Sequence, residues 1–126
     1  MRAAAASGEI DALCARHAVR VLTVFGSAAR GAPEARDLDV AVLSEPDLPF
    51  DPVALVADLI GLTGVEDIDL AHLNRGSPVL RERALVGCVA LFESGPGRYA
   101  DAQTAAIGER IETDALRRLD LELLGR

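Results

Sequence analysis

Two segments of this chain open with the same punctuation and stop in the same way, and no other feature constrains the fold as much. Asp51-Pro52 and Ser77-Pro78 each pair an N-cap side chain with a proline at the first helical position, and Gly64 and Gly87 stand where the following helices should end. Strand-like runs surround these two helices. Val19 to Phe25 is short and rich in β-branched residues, reads as a buried strand, and stops at Gly26. Asp37 to Leu43 alternates, with Leu38, Val40 and Val42 on one side and Asp37, Asp39 and Ala41 on the other, which predicts a half-buried strand. Val65 to Leu73 is a third strand with Asp67, Asp69 and Ala71 on one side, and Cys88 to Phe92 a fourth. Upstream, Ile10, Leu13, Cys14 and His17 fall on one helical face, with Ser7 as its cap.

From about Arg98 the chain reads as helical nearly to its end. Ile107, Ile111, Ala115, Leu119 and Leu123 recur every fourth residue, and Glu112-Thr113-Asp114 leaves open whether there is one helix or two. The order α-β-α-β-α-β-α-β-α predicts an α/β (α+β) fold: a small mixed sheet of about four strands packed with helices, followed by a C-terminal helical tail. A chain of 126 residues has room for one domain. Residues 1–96 are assigned to it and residues 97–126 to a helical extension of the same domain.

Half of the residues are apolar, but only three Phe, one Tyr and no Trp are present, so the core must be aliphatic. All positive charge is arginine and the formal net charge is -7, which argues against direct nucleic-acid binding through a basic face. No stretch approaches the roughly 20 apolar residues of a membrane span, and the opening residues lack the apolar run of a signal peptide. Cys14 and Cys88 have no metal-type spacing and read as buried free thiols. A reduced, cytoplasmic protein is expected.

Three features carry chemistry. Gly26-Ser27 follows directly on a strand; a glycine there lets backbone amides approach a ligand, and a serine opening a helical turn offers its hydroxyl and free N–H groups to a phosphate. Alone, this is also what a plain strand-to-helix turn looks like. Asp37-Leu38-Asp39 sets two carboxylates on one face of a strand, about 7 Å apart, and carboxylate oxygens suit a hard divalent cation such as Mg2+. The plain alternative is the polar face of an edge strand. Asp69, on a later strand, completes a trio with Asp37 and Asp39 if the two strands are neighbours. Carboxylates so arranged around one or two metals favour in-line displacement at phosphorus. Asp67 falls one step along and is expected to be solvated. His72 faces away from the carboxylates by strand parity and His17 closes a helix, so neither is expected to be the catalytic base.

The stretch Val24-Phe25-Gly26-Ser27-Ala28-Ala29-Arg30-Gly31, followed by Arg36-Asp37-Leu38-Asp39-Val40-Ala41-Val42, resembles the DNA polymerase beta superfamily of nucleotidyltransferases. Within it the chain is most similar to the minimal branch, MNT, which Asp69 to Arg75 and Val89 to Glu93 also resemble. Two positions depart from the usual pattern: Arg36 stands where many relatives have serine, and nine residues separate Ser27 from Asp37 where ten is more common. The resemblance implies a palm-like sheet, with Gly26, Ser27 and Arg30 binding the nucleotide triphosphate. It further implies that Asp37, Asp39 and Asp69 hold Mg2+, and that Asp69 helps to activate the attacking hydroxyl.

Minimal members are similar to the antitoxin half of HEPN–MNT toxin–antitoxin pairs. The resemblance therefore implies transfer of AMP from ATP to a tyrosine of a partner HEPN-type RNase toxin. The alternative is a catalytically idle antitoxin or binding module that neutralises its partner by direct complex formation. Leu116, Leu119, Leu123 and Leu124 either pack on the domain itself or form a homo-oligomer interface. The nucleotide base and the number of nucleotides transferred are not legible in the motif.

Overall fold

The computed structural model describes residues 3–26 and 37–124. Within these described residues four helices, one short 3-10 turn and four strands follow one another: α1 (Ala3–Arg16), β1 (Val19–Phe25), β2 (Asp37–Ser44), α2 (Pro52–Thr63), β3 (Asp67–His72), the turn Leu73–Arg75, α3 (Pro78–Leu85), β4 (Val89–Glu93) and α4 (Arg98–Leu124). The strands form one mixed sheet in the order β3-β2-β1-β4. β1 is antiparallel to β2 and β4, whereas β2 and β3 run parallel, joined through α2. A parallel pair needs such a crossover, and the capped segment from Asp51 to Gly64 supplies it.

The local chemistry of α2 is as the sequence predicts. Asp51 accepts hydrogen bonds from the backbone N–H groups of Val53 and Ala54, Pro52 follows, and Gly64 ends the helix in the left-handed region at φ 73°. In α3 the Ser77 hydroxyl accepts from the Leu80 N–H. α1 begins at Ala3, not at Ser7. The preceding run of alanines, the strongest helix formers, extends the helix upstream and puts the expected cap inside it.

Two apolar layers sandwich the sheet. On one face Ile10, Leu13 and Cys14 of α1 and Leu55 and Leu59 of α2 meet Leu22, Val40 and Val42. On the other, Val21 and Ala41 pack with Leu73, Ala84, Leu85 and Ala106, beneath α3 and the first turns of α4. The expectation of a half-buried β2 is thereby corrected. β2 is an interior strand, both its faces are covered, and Ala41 is fully buried because α3 and α4 close over the side that carries the aspartates further up the strand. Thr23 is buried in the same layer and donates its hydroxyl proton to the Ala84 carbonyl at 2.7 Å.

Tyr99 ties α4 down by donating to the Leu85 carbonyl at 2.8 Å. Arg81 adds a two-pronged bond to Glu109, at 3.2 and 2.6 Å. α4 is one continuous helix of 27 residues. Its far end leaves the domain: Leu116, Leu119 and Leu123 are 58%, 52% and 56% exposed, so they do not pack on the domain's own core.

Candidate functional site

The strand register brings the acidic residues together. In the parallel ladder Asp39 is the partner of Asp69, and Asp37 of Asp67. Partners in such a ladder point to the same face and sit on strands about 4.8 Å apart. On the other side, Phe25 is the antiparallel partner of Asp39, so the turn at Gly26 begins level with it. Asp39 and Asp69 continue the face that Ala41 and Ala71 form deeper in the sheet, where α3 and α4 cover it. At the aspartates that cover has ended: Asp39 is half-buried and Asp69 exposed. An open, polar cavity of about 320 Å³ lies along this edge, lined by Glu66, Asp67, Ile68 and Asp69. Glu66 did not figure in the sequence-derived set; the signal was present, since Glu66-Asp67-Ile68-Asp69 puts three acids in four residues.

Gly26 has a geometric reason to be glycine. Its φ is +75°, in the left-handed region, and a Cβ built there would lie 2.5 Å from Oδ2 of Asp39. The carboxylate of Asp39 thus rests against the bare Cα of the turn. Ser27, Arg30 and Arg36 lie outside the described residues, and of Asp37 only the backbone is described.

A divalent cation is what such a cluster implies, and the donors present suit one. The described polar side chains at this end are carboxylates, hard oxygen ligands of the kind Mg2+ takes. The imidazole of His72 and the thiol of Cys14 lie elsewhere. His72 is on the opposite face, its Nε2 3.0 Å from the Ser44 hydroxyl and its ring against Phe50, while Cys14 is buried under α1. Among the described residues no group of three or more His, Cys, Asp or Glu is arranged to hold a metal. Among the described residues, too, no helix is long and apolar enough to cross a membrane. His17 is bonded through Nε2 to Asp58, tying the end of α1 to α2 far from the carboxylates.

Solved structures share this fold. One chain of a crystal structure of a mutant toxin–antitoxin MntA–HpeT superposes with a TM-score of 0.71 at 19% identity, covering 95% of this chain and 98% of that one. A toxin–antitoxin structure with AMP-PNP gives 0.71 at 20% identity, over 95% and 98%. A structure of a tri-AMPylated Shewanella oneidensis HEPN toxin in complex with MNT antitoxin gives 0.68 at 19% identity, over 99% and 100%. At these identities the likeness is one of fold. No curated protein sequence matches the chain. The family model described as "Polymerase beta, Nucleotidyltransferase" matches residues 9–95, more than half of the chain and the whole of the sheet. The chain belongs to the polymerase beta nucleotidyltransferase family.

Proposed function

We propose that this protein is a Mg2+-dependent nucleotidyltransferase that moves AMP from ATP onto a hydroxyl of a partner protein, a tyrosine of a HEPN-type RNase toxin, and so acts as its antitoxin in the cytoplasm. The observation that carries this reading is the pairing of Asp39 with Asp69 beside the bare Cα of Gly26, in a chain of this family. The fold likeness to toxin–antitoxin structures, one with AMP-PNP and one with a tri-AMPylated toxin, supports the choice of nucleotide and partner.

Asp37, Asp39 and Asp69 would hold the metal. Bound there, Mg2+ supplies neutralisation of charge on the phosphate oxygens. The backbone turn at Gly26, with Ser27 and Arg30, takes the triphosphate. Asp69 is the most open of the described acids in the trio and accepts the proton of the attacking hydroxyl. The hydroxyl oxygen bonds to the α-phosphorus, the bond from that phosphorus to its bridging oxygen breaks, and pyrophosphate leaves with the electron pair.

The test is incubation with ATP labelled at the α-phosphate, Mg2+ and the purified product of the adjoining gene. Label should appear on that protein, and Asp37→Ala with Asp39→Ala should lower transfer at least about a hundredfold. Transfer that survives the double substitution, or no transfer by the wild type, removes the enzymatic reading.

A further inference from the structure

The last third of α4 has no work in the fold. Every residue from 115 to 123 is exposed, and among the described residues the last ion pair to the body is that of Arg110 with Glu82. From residue 115 on, roughly ten residues, about 15 Å of helix, project beyond the body.

Among the described residues, three of its four exposed leucines share one face, while Leu121 lies apart on the far side. At about 100° per residue, Leu116, Leu119 and Leu123 fall within an arc of about 60°. Glu112 falls inside the same arc, Asp120 about 40° beyond one edge and Glu122 about 60° beyond the other; Arg117 and Arg118 lie farther round, about 100° from the nearer edge. The result is a leucine stripe bordered by carboxylates. A second copy of this chain is a poor occupant. Pairing the stripe with itself about a two-fold axis, parallel or antiparallel, sets one carboxylate edge against another, in a chain whose net charge is already -7.

We propose that the projecting end of α4 is the docking element of this protein: Leu116, Leu119 and Leu123 enter an apolar groove on a different protein, whose rim carries arginine or lysine to meet Glu112, Asp120 and Glu122. The identity of that protein rests on the function proposed above; the chemistry of its groove does not. The residues that dock are not among the aspartates of the sheet, so binding and transfer are separate tasks of one chain.

The probe is the purified product of the adjoining gene, titrated into the full chain by calorimetry. Leu116→Ala, Leu119→Ala and Leu123→Ala together should weaken binding about a hundredfold or more. Alanine keeps the helix, and these side chains leave the domain untouched, so the melting temperature should hold. Asp120→Arg with Glu122→Arg should weaken binding about tenfold, and added salt should lower the affinity of the wild type but not of this variant. Unchanged affinity in either variant overturns the proposal, as does a failure of the wild type to bind the probe. It is also overturned if the isolated chain is a dimer by light scattering that the leucine substitutions alone dissolve. Tight, helix-dependent binding without AMP transfer would remove the enzymatic reading and leave the docking element standing; transfer with no dependence on the leucines would do the reverse.

Discussion

Gly26 is held to glycine by two independent conditions, a φ of +75° and the contact of its Cα with the Asp39 carboxylate. A left-handed alanine costs about 1 kcal/mol, and its methyl must also displace Oδ2 of Asp39. Gly26→Ala should therefore lose label transfer by at least about a hundredfold with only a modest fall in stability; transfer within a fewfold of wild type would show that Asp39 has room to move. The two thiols differ in the same residue-level way. Cys14 is fully buried, and burial, with Asp11 nearby, pushes its pKa up to about 12, while Cys88 is half-buried beside the Tyr99 hydroxyl. A thiol reagent at neutral pH should modify one cysteine in the native protein, Cys88, and reach Cys14 only on unfolding; equal native rates would contradict that burial. His72 is shifted below its ordinary 6.5 by burial and by Arg75, against a raising hydrogen bond from Asn74. The native fold then binds fewer protons there than the unfolded chain, so its contribution is present above pH 6.5 and fades as the pH falls. The melting temperature of wild type should drop more steeply from pH 7 to 5 than that of His72→Gln, and parallel curves would count against it.

At the scale of elements, what was legible was whatever is set locally. α2 was readable at both ends because Asp51, Pro52 and Gly64 act on backbone groups within a few residues. Removing that cap, Asp51→Ala, should cost about 1 kcal/mol in urea unfolding, and an unchanged midpoint would mean that tertiary packing alone holds the helix start. The start of α1 was misread because Ser7 is a competent cap in the wrong place, behind alanines that are themselves helical. The burial of β2 was misread because Ala41 is small and the alternation does not reveal whether one layer or two covers a strand. The continuity of α4 through Glu112-Thr113-Asp114 was open because no glycine or proline decides it; the 2.6 Å bond from Arg110 to Asp114, one turn apart, helps to carry the helix across.

For the molecule as a whole, the candidate site was legible as a set of residues but not as a place. Period two put Asp37 with Asp39 and Asp67 with Asp69; that β3 lies beside β2, parallel and in the register that pairs Asp39 with Asp69, depends on the crossover through α2 and the order of the whole sheet. That arrangement has a consequence independent of turnover. Two carboxylates on neighbouring strands repel, by an amount that solvent screening at this open edge keeps small. The native state carries that repulsion, the unfolded chain does not, and a divalent cation shared between them would reverse its sign. Asp69→Asn should therefore melt slightly above wild type in EDTA, while millimolar Mg2+ should raise the melting temperature of wild type and leave the variant nearly unmoved. A variant no more stable than wild type in EDTA, together with a wild type indifferent to Mg2+, would mean that the paired aspartates do not share an ion.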